Sequence, residues 1–351
     1  MTRLLVVDDS ALMRRLLAEL FTQAGGFEVE VARTGEEAIE RLHAFAPQVI
    51  TLDIHMPGMD GLACLDCIML QRPTPVVMVS ALTAQGAEET LEAMALGAVD
   101  FIAKPSGAIS LAIDRLAPTL IDKVRSAADA RLPRAHRLAE RIRLRQVPTK
   151  AKSPPVKITG DGVVLVGCST GGPPALEALL TALPGDFPWP IVIAQHMPQS
   201  FTGPLARRLD RLCAITVSEV SRAALLEAGH AYIGRGDADL VLARRTAGIV
   251  AMPAPRDPKF HWHPSVDRLV AGAGKLFGPE RLIGVLMTGM GADGADEMAK
   301  LKTAGAYVIA EAEESAVVWG MPGALVRQGG ASAVVPLDRI AANLVALLDR
   351  R

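Results

Sequence analysis

Apolar residues along this chain fall in short uninterrupted runs, separated by longer stretches where they recur every three or four positions. Short runs bounded by turn residues read as buried strands, and the wider spacing reads as helices with one face on a core. In the first third the pattern predicts strands at Arg3–Val7, Phe27–Ala32, Gln48–Leu52, Val76–Val79 and Ala98–Ile102. Helices are predicted at Ala11–Ala24, Gly35–Ala44, Leu62–Leu70, Ala87–Leu96 and from Ile109 to about Ser126. Such alternation predicts a doubly wound parallel α/β unit of five β-α repeats over 1–125.

Residues 126–158 break the pattern. Basic side chains dominate, from Arg131 to Lys157, and Pro148 to Pro155 reads as an extended linker. Alternation resumes over 159–351. Strands are predicted at Gly162–Val166, Ile191–Ala194, Ala214–Glu219, Ala231–Ile233, Leu240–Ala243, Gly248–Ala251, Arg281–Met287, Ala306–Ala310 and Ala333–Val335. Helices are predicted at Pro174–Leu183, Ser200–Leu212, Ser265–Phe277, Ala292–Ala304 and Leu337–Leu348. The helix-free run Tyr232 to Met252 predicts hairpins. The second domain is therefore expected to be a mainly parallel α/β sheet with a β-hairpin insertion.

Composition narrows the class. The 351 residues suffice for two domains with separate cores, and half of them are hydrophobic, which excludes a disordered chain. A net charge of −1 gives no overall pull toward nucleic acid or an anionic membrane. No apolar run approaches the roughly 18 residues that span a bilayer. The opening lacks a basic segment followed by a long apolar one, so no secretory signal is predicted and the cytoplasm is the expected compartment. Cys64 and Cys67 form a C-x-x-C inside a predicted helix, where packing is the expected role.

Two sets of polar residues fall at predicted strand ends. In the first domain Asp8 and Asp9 end the first strand, Asp53 the third, Ser80 the fourth and Lys104 the fifth. The carboxyl ends of a doubly wound sheet form its ligand crevice. Converging carboxylates repel unless a divalent cation joins them, and hard oxygen ligands suit Mg²⁺. Cation, hydroxyl and ammonium together would hold a phosphoryl group on an aspartate.

In the second domain Ser169 follows a strand inside Gly-Cys-Ser-Thr-Gly at 167–171, a strand-turn-helix elbow. His196 and Asp293 follow two further strands. Hydroxyl, imidazole and carboxylate at one rim would make a nucleophilic triad. Each also has a plainer reading: Ser169 and Asp293 as helix caps, His196 as a core histidine. Cys168 is a rival nucleophile expected to face the core, and His261, His263 and Asp267 a rival metal set expected to be a loop-to-helix cap. A small-molecule ester hydrolase, a binding module and a DNA-binding regulator are the competing classes. No basic reading helix supports the last.

The first domain resembles response-regulator receivers. The resemblance rests on Val-Val-Asp-Asp-Ser at 6–10, Leu-Asp-Ile-His-Met-Pro-Gly-Met-Asp-Gly at 52–61, Val-Ser-Ala at 79–81 and Lys-Pro at 104–105. It implies a flavodoxin-like (βα)5 fold for 1–125, and that Asp53 accepts phosphate from a histidine kinase of the chemotaxis type. Mg²⁺ would be held by Asp8, Asp9, Asp53 and the His55 carbonyl. Ser80 and Lys104 would contact phosphate, and Phe101 would be the switch aromatic.

The second domain resembles the protein-glutamate methylesterase/glutaminase family of bacterial chemotaxis. The matching stretches are Gly-Cys-Ser-Thr-Gly-Gly-Pro at 167–173, Gln-His-Met-Pro at 195–198, His-Pro-Ser-Val-Asp at 263–267 and Leu-Met-Thr-Gly-Met-Gly-Ala-Asp-Gly at 286–294. The family implies Ser169, His196 and Asp293 as triad, with backbone N–H groups at Thr170 and Met290 as oxyanion hole. The implied substrates are methyl-accepting chemoreceptors, whose glutamate esters and glutamines would be hydrolysed. No cofactor is expected for that reaction. The tandem order implies that the receiver regulates the esterase.

Overall fold

The computed structural model describes residues 1–81, 83–104, 109–132 and 162–349. They belong to two compact units, Met1–Arg145 and Gln146–Arg351. In the first, β1 (Thr2–Val7), β2 (Phe27–Ala32), β3 (Val49–Asp53), β4 (Val76–Ala81) and β5 (Asp100–Lys104) form a parallel sheet in the order β2-β1-β3-β4-β5. Its helices are α1 (Ala11–Ala24), α2 (Gly35–Ala44), α3 (Gly61–Gln71), α4 (Ala84–Leu96) and α5 (Ile109–Ala128). Four of these starts are capped by a side-chain oxygen on an orphan N–H: Ser10, Thr34, Asp60 and Thr83. Strand order reverses between β1 and β3, so Asp8 and Asp53 flank the crevice where such sheets bind ligands.

Several boundaries differ from expectation: α4 starts three residues early at Ala84, and β3 and β4 run on to Asp53 and Ala81. β5 begins at Asp100, because Ala98 and Val99 lie in the turn after the left-handed Gly97 that ends α4. Helix α5 continues to Ala128, past the expected domain end at 125. The Pro148–Pro155 segment of the expected linker lies outside the described residues.

The second unit holds seven parallel strands in the order β15-β14-β13-β6-β7-β10-β8. They are β6 (Val163–Cys168), β7 (Ile191–Gln195), β8 (Thr216–Val220), β10 (His230–Gly234), β13 (Leu282–Leu286), β14 (Tyr307–Glu311) and β15 (Ala333–Val335). Helices α6 (Gly172–Thr181), α7 (Gln199–Leu212), α8 (Val266–Ala273), α9 (Ala295–Thr303), α10 (Met321–Arg327) and α11 (Leu337–Leu348) accompany them. A small antiparallel sheet is built from β9 (Ala224–Leu225), β11 (Asp239–Arg245) and β12 (Gly248–Ala254). β6, β7 and β13 are buried at every position, as central parallel strands covered on both faces must be. Each such Val, Leu or Ile contributes about 1.5–3 kcal/mol of burial.

The hairpin reading of Tyr232 to Met252 is correct only for β11 and β12. Tyr232 belongs to β10, a parallel strand paired to β7 on one side and β8 on the other. The connection from β8 to β10 carries no helix, which removed the usual mark of a parallel crossover. Buried Tyr232 donates its hydroxyl to Leu225 O at 2.6 Å and accepts the Glu227 N–H at 3.0 Å, tying that connection down. Helix α10 was not expected, because it opens on Met321-Pro322-Gly323. Pro is tolerated in a first turn, where its missing N–H has no partner to lose. No helix among the described residues is long and apolar enough to cross a membrane.

Candidate active site

Ser169 sits directly beyond β6, the strand flanked by β7 and β13. The chain turns sharply there: Gly172 N–H donates to Ser169 O at 2.8 Å, and Gly171 takes φ 75° as the residue before α6. That left-handed conformation favours glycine. α6 has no side-chain cap, so the serine hydroxyl is not engaged as one. The Ser169 N–H is fixed to Thr288 O at 3.0 Å. The turn after β13 packs so closely that a Cβ on Gly289 would lie 2.8 Å from Ser169 Cβ. Thr170 is buried, and its carbonyl accepts the Thr288 hydroxyl at 2.9 Å. Met290 lies in the same turn, whose backbone is pinned through Gly289 to Val318, Gly320 and Met321.

His196 follows β7 and reaches Asp293 in the loop between β13 and α9, with Nε2 2.8 Å from Oδ2. The histidine side chain is only 4% exposed, and its buried Nδ1 has no hydrogen-bond partner among the described residues. Nε2 is therefore taken up by Asp293, and Nδ1 is the ring nitrogen left over. Asp293 does not cap the helix that follows it, for Gly294 occupies that position. It caps α8 instead: Oδ2 accepts Val266 N–H at 2.7 Å, and Oδ1 accepts Asp267 N–H at 3.1 Å and the Ser265 hydroxyl at 3.0 Å. Burial alone would raise the Asp293 carboxyl. The bond to His196 and these N–H donors outweigh it and hold the group below the usual carboxylate range.

Several contributing residues gave no clear mark in the sequence. Gln195 ends β7 with a buried amide whose Nε2 donates to both Ser169 O and His196 O at 3.0 Å, joining the two turns. Its Oε1 accepts from Cys168 Sγ at 3.1 Å. Cys168 is fully buried, and burial pushes its thiol far up, so it is inert as a nucleophile. His263 Nδ1 lies 2.9 Å from Asp239 Oδ1, and Asp267 accepts Glu297 N–H at 3.1 Å. These residues brace helix starts and do not gather as a metal set. Burial pushes Asp267 up to about 6, with the Asp293 charge acting the same way.

Glu311 ends β14 beneath the Thr288 turn. Its oxygens accept Thr288 N–H at 2.8 Å and the Ser315 hydroxyl at 2.9 Å, and burial pushes its carboxyl up to about 7. In the unfolded chain the group releases its proton near 4.5. Between those values the folded state binds the extra proton, so stability falls as pH rises through the window. Glu311→Gln keeps an acceptor for Thr288 and a donor for Ser315 but cannot ionise. It is expected to match wild type near pH 4.5 and to gain up to about 3 kcal/mol at pH 8, read by denaturant unfolding at both values. An equal difference at both would rule out ionisation as the cause.

In the first unit, carboxylate oxygens of Asp8, Asp9 and Asp53 lie within 4.8 Å of one another. Lys104 Nζ is 2.6 Å from Asp53 Oδ2 and 3.0 Å from Asp8 Oδ2. Burial raises the Asp53 carboxyl and the Asp8 charge adds to it, while Lys104 opposes. Asp8 Oδ2 is buried and receives no well-aligned hydrogen bond, so it retains a lone pair for a hard cation. The His55 imidazole turns away to Glu89 at 3.1 Å, and the backbone N–H of His55 donates to Asp53 Oδ1 at 3.4 Å. Ser80 is buried and donates to Gly86 O at 3.1 Å. Phe101 is buried, with Lys123 Nζ 5.3 Å from its ring centre. Cys64 is buried within α3, and its thiol is pushed up to about 12 by burial, so the C-x-x-C is packing.

A family model described as CheB methylesterase matches residues 164–344, and one described as response regulator receiver domain matches residues 4–113. The chain is 54% identical to protein-glutamate methylesterase/protein-glutamine glutaminase 2 of Rhodopseudomonas palustris (strain BisB18), covering 98% of each chain. It is 53% identical to protein-glutamate methylesterase/protein-glutamine glutaminase 3 of Rhodospirillum rubrum, covering 100% of this chain and 97% of the relative. The crystal structure of the Thermotoga maritima CheB methylesterase catalytic domain aligns with a TM-score of 0.51 at 37% identity, covering 53% of this chain and 98% of that one. With matches of this length and identity, the chain belongs to the CheB methylesterase family and carries a response regulator receiver domain ahead of its esterase unit.

Proposed function

We propose that this chain hydrolyses glutamate γ-methyl esters on bacterial chemoreceptors, releasing methanol, and deamidates receptor glutamines in the same site, in the cytoplasm. The observation that carries the reading is the buried His196–Asp293 pair, with His196 Nδ1 unsatisfied at the strand end adjoining Ser169. Ser169 Oγ attacks the γ-carbonyl carbon and gives its proton to His196 Nδ1. Asp293 accepts the hydrogen bond from Nε2–H, stays ionised, fixes the tautomer and balances the imidazolium charge. Backbone N–H groups of Thr170 and Met290 hold the oxyanion, each typically worth about 3 kcal/mol of barrier. The ester C–O bond breaks, and methoxide leaves as methanol with the proton from Nδ1. Water then attacks the acyl-serine, passes a proton to Nδ1, and glutamate departs as Ser169 is regenerated. A γ-carboxamide follows the same path and releases ammonia.

The receiver at 1–125 is joined through 126–158 to the catalytic domain at 159–351, and it regulates the esterase through phosphorylation of Asp53 by a chemotaxis-type histidine kinase. Asp8, Asp9, Asp53 and the His55 carbonyl would hold Mg²⁺. That ion, when bound, would offset the charge of carboxylates and incoming phosphoryl oxygens. Ser80 and Lys104 contact the phosphoryl group, and buried Phe101 relays the change. A small-molecule phosphodonor with Mg²⁺ is expected to raise methanol release from methyl-labelled receptor membranes at least about tenfold, the size of an ordinary allosteric coupling. Asp53→Asn is expected to keep basal activity and lose the response. Wild type that releases neither methanol nor ammonia from receptors would refute the substrate. Equal activation of both chains would refute the regulation.

A further inference from the structure

We propose that Trp262 is a positioning residue of the esterase, clamping the His196 imidazole and stabilising the imidazolium formed when Ser169 loses its proton. The inference rests on the mechanism above. The indole lies flat on the imidazole, with ring centroids 5.1 Å apart and planes inclined by 11°. Asp293 holds His196 at Nε2 alone, and one hydrogen bond leaves a ring free to rock about that contact. A stacked indole suppresses the rocking and keeps Nδ1 on its line. It also covers one face of the ring, in keeping with the 4% exposure of the His196 side chain.

The placement is not core packing. Trp262 is partly exposed, and its neighbours in sequence are His261 and His263. The His261 ring also packs on the indole, with centroids 4.9 Å apart and planes at 90°. The next residues anchor the loop to the same catalytic network. His263 binds Asp239, while the Ser265 hydroxyl and Val266 N–H bind Asp293. One short segment therefore holds the carboxylate and covers the imidazole that this carboxylate orients. An aromatic face also attracts a cation, best for indole, less for phenyl, and not for an aliphatic side chain of similar bulk. His196 becomes a cation only after proton transfer, so the effect falls on turnover and not on substrate binding.

The test compares Trp262→Leu and Trp262→Phe in the full chain. With methyl-labelled receptor membranes, Trp262→Leu is expected to lower kcat about tenfold with KM within about twofold, and Trp262→Phe to recover most of that loss. NMR of the histidine ring protons supplies a reading independent of substrate. The His196 resonance, assigned with His196→Gln, is expected to sit upfield in wild type, move downfield in Trp262→Leu and largely hold in Trp262→Phe. An active wild type whose Leu variant keeps full kcat, or whose two variants lose kcat equally with a lowered melting temperature, overturns the clamp, as does an unmoved resonance. Inactive wild type with the resonance shift intact counts against the proposed substrate and leaves the clamp standing.

Discussion

Ser169→Ala is expected to abolish methanol release, lowering kcat on the order of 10⁵–10⁶-fold, the loss seen when a triad nucleophile is removed. The fold is expected to survive. Ser169 contributes to structure through its backbone: the N–H binds Thr288 O, and the carbonyl accepts Gly172 N–H and Gln195 Nε2. All three bonds persist with alanine, and α6 never relied on the hydroxyl as a cap. The melting temperature should therefore match wild type while methanol falls to background. Cys168 cannot substitute, since its thiol is fully buried and points to Gln195. Near-normal turnover in the alanine variant would remove Ser169 from the reaction.

Asp293→Asn is expected to carry a smaller but still large penalty for a different reason, and to alter stability as well. The carboxylate accepts four hydrogen bonds, from His196, Val266, Asp267 and Ser265. A carboxamide cannot accept at both ends. With NH₂ in place of Oδ2 it would face the Val266 N–H and force His196 into the wrong tautomer. With NH₂ in place of Oδ1, the Ser265 hydroxyl turns to accept and only the Asp267 N–H is stranded. The second arrangement is favoured, and it retains the tautomer but loses the negative charge. We expect kcat to fall about 10²–10⁴-fold. One stranded buried N–H costs about 1–3 kcal/mol, a drop of several degrees in melting temperature. Kinetics and calorimetry on the same preparation check both. Unchanged stability with lost activity would contradict the capping role assigned to Asp293.

The fold was legible in the sequence where apolar runs alternate cleanly with helical spacing. β6 and β7 read as strands because every position is apolar or small up to a polar terminus, and that terminus carries Ser169 or His196. β10 was misread because its crossover from β8 lacks a helix, and pairing to two neighbours is a property of the sheet, not of the run. Asp293 was legible as a polar residue near a strand end, but its capping of α8, a helix that precedes it in the chain, was not. Gln195 and Glu311 looked like ordinary strand ends, because nothing local shows that a buried amide spans two turns or that a buried acid underlies Thr288. Trp262 lay in a loop without periodicity, and stacking between residues 66 positions apart leaves no local signal.

The central claim is that the Ser169 oxygen bonds the glutamyl carbonyl carbon. A helical receptor peptide carrying a methyl p-nitrophenyl phosphonate in place of the glutamate ester tests it, because attack at phosphorus expels p-nitrophenolate and leaves a stable tetrahedral adduct. Mass spectrometry of the digested chain should then place the adduct on Ser169 in wild type and find none in His196→Ala. An adduct on Cys168, or none in a chain that still releases methanol from receptors, would contradict it.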